Sequence, residues 1–344
     1  MSRSAPFLNP SEAARRLGVS PKALRLYELR GLLSPGRTAA GYRAFGPDDM
    51  ARAGEIAALR ALGLSLAQVA RVLTGEAGDL EPALAAHQAM LEGRIRELAV
   101  TVDKVRRLRA EMAGGRTPEA GELPRLLGTS DDLTVAFELP WPWGGELFVL
   151  DAIGALNFIV GPLGSGKTRF ARRLALELPG AVFIGLDRAA DGGASARARM
   201  EADLALRSRV ESGLDWLAGE GAATSDALVA LLVALEAEGS AAFVVDMVEQ
   251  GLDHATQEAL ISHLRRRGQR FRPLFLLTRS SAILDLAAVG ADETILFCPA
   301  NHSPPTRVAP YPGASGFEAV ASCLASPDVR ARTEGVIAWR PRPA

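Results

Sequence analysis

Short, sharply punctuated helices in a basic N-terminal stretch, an apolar seven-residue repeat in the middle, and strand-length apolar runs alternating with helices around the loop Gly161–Thr168 predict an α/β multidomain protein. The expected parts are an all-α winged helix-turn-helix unit over 1–76, a long coiled-coil helix over 77–113, a linker over 114–133 and an α/β domain over 134–344. A chain of 344 residues has room for two domains or three. With 48% apolar and 23% charged residues and a net charge of -1, it is neither a disordered chain nor a uniformly basic nucleic-acid coat. The charge is unevenly placed. Lys plus Arg outnumber Asp plus Glu by 11 to 5 over residues 1–75, so this segment carries +6 and the remainder -7.

Other classes are excluded by small counts. Cys298 and Cys323 form no CxxC, and His87, His254, His263 and His302 show no metal-ligand spacing, so neither a disulfide scaffold nor a structural metal is expected. The longest apolar run, Ala227 to Leu235, is far shorter than a bilayer span, and the start MSRSAPFL lacks a hydrophobic signal core. A soluble, cytoplasmic protein without a membrane partner is the expectation.

Each N-terminal element carries its own punctuation. Asn9-Pro10-Ser11-Glu12 supplies an N-cap, a first-turn proline and a reciprocating glutamate, and Gly18 stops the helix. Ser20-Pro21 starts a second helix that runs to Gly31, so two short helices flank a tight turn. The basic stretch RTAAGYRAF then reads as a small hairpin or wing. Gly46-Pro47-Asp48-Asp49 opens a third helix and Ser65-Leu66-Ala67-Gln68 a fourth. Farther on, Leu84, Leu91, Leu98, Val105 and Met112 recur every seven residues, with Ile95 and Val102 between them and Gln88 and Arg109 interrupting. That seam needs a partner helix; a single helix packed on its own C-terminal domain is the alternative.

Beyond the Gly- and Pro-rich segment at 113–124, the runs LNFIV, AVFIGL, AAFVVD, PLFLLT and TILFC imply a buried, largely parallel sheet. The loop 299–313 and the tail RPRPA have no assignable conformation. Gly161-Pro162-Leu163-Gly164-Ser165-Gly166-Lys167-Thr168 matches GxxxxGK[ST] between a strand and a helix, the context a phosphate-binding P-loop requires. Gly161, Gly164, Ser165 and Gly166 let backbone N–H groups curl around phosphate, Lys167 reaches the outer phosphates, and Thr168 offers a hydroxyl to Mg²⁺. The apolar strand AAFVVD ends in Asp246, placed to orient the same ion. A P-loop NTPase α/β domain binding ATP or ADP with Mg²⁺ is therefore expected. Phe137, Trp141 and Trp143 are candidates for an adenine-stacking platform, with core packing as the alternative.

The order GPLGSGKT and then DMVEQGLD resembles the Walker A, Walker B and D-loop segments of ABC ATPases over about residues 134–300. The resemblance gives Asp246 and Asp253 the two aspartate positions. It also implies departures. Met247 stands where the family has its catalytic glutamate, Arg279 takes the place of its switch histidine, LAGEG at 217–221 only echoes its signature, and no glutamine loop follows AVFIGL. Ordinary hydrolysis is disfavoured, since a thioether cannot polarise water. Glu249, Asp253 and Arg279 remain the candidate catalytic or nucleotide-sensing groups.

VSPKALRLYELRGLLSPGRTAAGYRAF followed by ALRALGLSLAQVARVL resembles the DNA-binding domain of the mercury-resistance-regulator (MerR) family, with Leu26 at its first aromatic position. Lys22 and Arg25 share a helix face, and Arg37, Tyr42 and Arg43 lie on the wing; together with Tyr27 they are the candidate DNA contacts. The resemblance implies antiparallel pairing through the long helix, a pseudo-palindromic double-stranded promoter site, and activation by distorting DNA for RNA polymerase. The expected protein is a homodimeric transcription regulator with nucleotide as effector. The alternatives are a DNA-dependent ATPase of DNA maintenance or repair, tethered by the winged unit, and, less suited to a DNA-binding N-terminus, a transporter ATPase subunit.

Overall fold

The computed structural model describes residues 7–38, 40–114, 134–151, 153–267, 272–290 and 292–324. Most of the expected linker, the tail RPRPA and the first six residues lie outside them. The chain divides into two units, 1–117 and 118–344.

In the first unit, local capping chemistry sets the start of each of the first four helices. Asn9 and Glu12 form a reciprocal capping box at α1 (Pro10–Leu17), which ends on Gly18 at φ 68. The Ser20 hydroxyl accepts from the Ala23 N–H at the start of α2 (Pro21–Leu29). The wing is a hairpin of β1 (Gly36–Arg37) and β2 (Arg43–Ala44) paired antiparallel, and Leu8 bridges Phe45 beside it. Next come α3 (Pro47–Ala61) and α4 (Leu66–Leu73), the latter with the Ser65/Gln68 capping box. Leu24, Tyr27, Phe45, Ile56, Leu64 and Val69 form a core that joins all four helices and the wing. The helix α5 (Leu80–Ala113) has 34 residues, about 50 Å at 1.5 Å per residue. Its seam residues Leu84, Leu91, Ile95, Leu98, Val102 and Met112 are 46–65% exposed within this chain.

The second unit is built on one sheet. Its strands are β5 (Leu156–Val160), β6 (Ala181–Ile184), β7 (Ala242–Val245), β8 (Leu274–Leu277), β9 (Glu293–Phe297) and β10 (Thr306–Arg307), in the spatial order β10-β9-β5-β8-β7-β6. All pair parallel except the edge strand β10. The alternation within β5 divides the core. Leu156, Phe158 and Val160 face a cluster formed with α7 (Ala194–Ala202), α8 (Leu204–Glu220), α9 (Asp226–Leu235), α10 (His254–Arg267) and α11 (Phe317–Cys323). Ile159 faces the other side, with α6 (Lys167–Glu177) and a separate hairpin of β3 (Val135–Glu138) and β4 (Leu147–Leu150). Burial on both faces explains why the central strands β5, β7 and β8 read as unbroken apolar runs.

Three segments acquire definite roles. LAGEG is the C-terminal end of α8, closed by Gly221 at φ 94, and leads into the turn between helices. The proline-rich stretch after β9 turns back to form β10 against β9. Phe137 and Trp143, both 4% exposed, belong to the core, whereas Trp141 is 55% exposed.

Candidate functional site

In the first unit, Lys22 and Arg25 lie exposed on α2, and Tyr42 projects from the wing turn. Gly41 makes that turn possible at φ 81, with its N–H donating to the Thr38 carbonyl at 2.8 Å. Tyr27, expected among the contacts, is placed differently: it is 5% exposed and packs in the core, because its helix position lies on the face opposite the exposed cations. Arg37 and Arg43 both donate to the Glu28 carboxylate, Arg37 Nη2 to Oε1 at 2.9 Å and Arg43 Nε to Oε2. One carboxylate thus clamps both wing strands to α2. Glu28 had no assigned role in the sequence, since its partners lie nine and fifteen residues away.

In the second unit, the C-terminal ends of the parallel strands form one edge, where ligands of open α/β sheets ordinarily sit. Gly161–Thr168 leaves β5 there, Asp246 follows β7, Arg279 follows β8, and His302 lies in the turn after β9. Lys167, Thr168, Asp246, Met247, Arg279 and His302 line a cavity of about 740 Å³, together with Trp141, Gly164 and Gly166. The size suits a nucleotide-scale ligand.

Glycine is required in the loop for separate reasons. At Gly161 a Cβ would stand 2.2 Å from the Cys298 carbonyl oxygen, and Gly166, at φ 89, would meet the Trp143 ring at 2.7 Å. Gly164 has φ 81 and open space around it. Lys167 Nζ folds into its own loop and donates to the Gly161 and Pro162 carbonyls, each at 2.7 Å. Burial lowers the Lys167 pKa, and the Arg279 charge adds to this while Asp246 opposes it.

Burial raises the Asp246 pKa, against the lowering effect of the nearby Thr168 hydroxyl and of Arg172, Arg188 and Lys167. The neighbouring Met247 has φ 43, a left-handed backbone that costs a non-glycine residue about 1 kcal/mol. Arg188, in the turn after β6, donates through Nη1 to the carbonyls of Asp246 (2.8 Å) and Gly185 (3.0 Å), and through Nη2 to that of Met247 (2.7 Å).

Two expected catalytic candidates are occupied elsewhere. Glu249 is buried and its Oε1 accepts from the Arg279 backbone N–H at 2.9 Å, and Asp253 Oδ1 accepts from the Thr256 N–H at 2.7 Å at the start of α10. Neither lines the cavity, whereas Arg279 does. Arg188 and His302 escaped the sequence reading. His302 Nε2 lies 3.2 Å from the Gly164 carbonyl oxygen, and only the turn after β9 brings it there. Trp141 lines the cavity with the Arg169 guanidinium 4.2 Å from its ring centroid, while Trp143 donates its Nε1–H to the Ser303 carbonyl at 3.0 Å.

Among the described residues, no helix is long and apolar enough to cross a membrane, and no group of three or more His, Cys, Asp or Glu is arranged to hold a metal ion. A family model described as MerR HTH family regulatory protein matches residues 8–76. An uncharacterized HTH-type transcriptional regulator of Pseudomonas aeruginosa is 34% identical over 126 residues, 35% of this chain and 96% of that protein. A probable heavy metal-dependent transcriptional regulator of Haemophilus influenzae is 34% identical over 128 residues, 35% of this chain and 100% of that protein. Among solved structures, a MerR family regulator lacking the sensor domain, bound to promoter DNA, covers 28% of this chain and 79% of its own at 27% identity and a TM-score of 0.23. The chain covers the Pseudomonas and Haemophilus regulators almost completely at 34% identity, and with the family match over the winged unit this shows that it belongs to the MerR HTH family of transcriptional regulators.

Proposed function

We propose that the chain is a homodimeric promoter-binding regulator whose C-terminal domain takes ATP or ADP with Mg²⁺ as its effector. The observation that carries this reading is the meeting of Lys167, Thr168 and Asp246 at one cavity in a chain that also bears a winged helix-turn-helix. Lys22, Arg25 and Tyr42 would meet the duplex, Arg37 and Arg43 would hold the wing beside it, and the exposed seam of α5 would pair with a second copy. Two half-sites would follow from that pairing, and the resemblance to the MerR family implies distortion of promoter DNA for RNA polymerase.

The cavity residues fit a magnesium nucleotide. Gly164 leaves room for phosphate to approach the backbone, Lys167 and Arg279 supply positive charge, and Thr168 and Asp246 offer the hard oxygen ligands Mg²⁺ prefers. The bound ion would neutralise phosphate charge; the exposed Trp141 would offer a ring to the base. Met247 lines the cavity without a proton-accepting group, and Glu249 is held by the Arg279 backbone, which favours a binding switch of the divergent ABC type over a DNA-dependent ATPase.

A switch requires the nucleotide to favour one DNA-bound geometry, because equal affinity for both shifts nothing. Footprinting and affinity measurements on the promoter with ATP, ADP and no nucleotide test this. The expected result is a nucleotide-dependent change in protection or affinity without multiple turnover; indistinguishable footprints and affinities would sink the coupling.

A further inference from the structure

Met247 occupies a left-handed turn directly after the Asp246 carboxylate, at φ 43, a conformation that side-chain-bearing residues adopt only when their surroundings impose it. The flanking amides are pinned on both sides. The Asp246 N–H donates to the Ile184 carbonyl at 2.9 Å and the Val248 N–H to the Leu277 carbonyl at 3.0 Å. These bonds fix the N–H groups, and the Gln250 N–H donates to the Met247 carbonyl at 2.9 Å. Arg188 adds its guanidinium to the carbonyls of both Asp246 and Met247. Its two terminal nitrogens reach three carbonyls, those of Gly185, Asp246 and Met247, at 2.7–3.0 Å.

We propose that Arg188 is a positioning residue, whose guanidinium locks the Met247 turn and thereby sets where β7 presents the Asp246 carboxylate to a metal-bound nucleotide. The inference rests on the nucleotide-binding reading given above. Arg188 is not among the residues lining the cavity, so it acts through the backbone of its neighbours and not on the ligand. The residue type matters. Two terminal nitrogens of one planar fork reach three carbonyls at once, a fixed geometry that the single ammonium of a lysine does not reproduce. Arg188 also brings its charge close to Asp246 and Glu249. Charge and fork are separable by substitution.

The experiment uses the full chain and ATP, titrated calorimetrically in Mg²⁺ and in EDTA, with wild type, Arg188→Ala and Arg188→Lys compared. The Mg²⁺-dependent gain in affinity should fall about 10-fold or more in Arg188→Ala, the scale expected when an outer-shell partner of a metal ligand is removed. Affinity in EDTA should stay near wild type. Arg188→Lys should recover only part of the gain. In the nucleotide-free protein, Arg188→Ala should also speed hydrogen exchange at the Val248 and Gln250 amides, which close the turn. A wild-type Mg²⁺ gain in Arg188→Ala overturns the proposal. Should that variant lose its cooperative thermal transition, Arg188→Lys decides: an undiminished gain counts against the fork and a reduced gain for it. If the wild type binds no ATP with or without Mg²⁺, the nucleotide reading falls instead, and unchanged exchange at the two amides would remove the turn lock as well.

Discussion

Thr168, in the first turn of α6, and Asp246, at the end of β7, line one cavity from either side of the intervening strand β8. Burial raises the Asp246 pKa, so its ionised form is a net cost to the folded state that a ligand can relieve. For a carboxyl whose folded pKa is raised, the stabilising contribution is complete below the unfolded pKa and is lost as pH rises through the folded pKa. Asp246→Asn should therefore stabilise the ligand-free protein at neutral pH, by about 1 kcal/mol as at other sites where function opposes stability. The advantage should shrink as pH falls through the raised pKa. Thermal unfolding across that window checks the sign, and the same variant should lose the Mg²⁺-dependent part of nucleotide binding.

Lys167 lines the cavity and bonds only to carbonyls and a hydroxyl of its own loop, so its removal should be felt more by the ligand than by the fold. Lys167→Ala is expected to weaken ATP binding at least ~10-fold, equivalent to about 1.4 kcal/mol. Promoter affinity measured without nucleotide should be unchanged. A calorimetric titration showing wild-type ATP affinity would contradict the assignment.

Arg25 and Tyr27 stand two positions apart on α2 and should fail in different ways. Arg25→Ala should weaken DNA binding across sequences and reduce the salt slope by about 1, with ATP affinity intact. Tyr27→Ala removes a buried aromatic and should cost about 3–5 kcal/mol of winged-unit stability, read by denaturant unfolding.

Glu28 holds Arg37 and Arg43 at a partly exposed site, where such pairs contribute only about 0–1 kcal/mol to stability. Its larger effect should be on specificity. Glu28→Ala frees two arginines and loosens the wing, so non-specific DNA affinity should rise while the ratio of specific to non-specific binding falls by about 1 kcal/mol. Competition titrations at two salt concentrations measure both.

Leu98 lies 51% exposed in the middle of the α5 seam. Leu98→Asp buries a charge if the seam pairs and changes little if it does not. Light scattering should find a dimer for wild type and a monomer for the variant; equal masses would refute pairing through this face.

Much of the local architecture was legible because its causes are local. Asn9, Ser20 and Ser65 bond to amides three residues away, Gly18 and Gly41 supply left-handed backbone, and the β5 run precedes a loop whose glycines each answer a steric or conformational demand. None of these depends on how distant segments meet. The paired wing arginines, the exposure of Trp141 beside the buried Trp143, and the capture of Glu249 by the Arg279 amide were not legible, since each depends on segments far apart in the chain.

By itself the order of residues determined a winged helix-turn-helix, a long helix with an apolar stripe and a glycine-rich loop between strand and helix, because capping, periodicity and steric permission operate over a few residues. Only tertiary structure decided that Tyr27 is core, that Glu28 is a clamp, and that Arg188 and His302 sit beside the Asp246 and Gly164 backbones. The first two outcomes depend on how the helices and wing of the first unit pack together, and the last two on the strand order of the sheet, both of which bring together segments far apart in the chain.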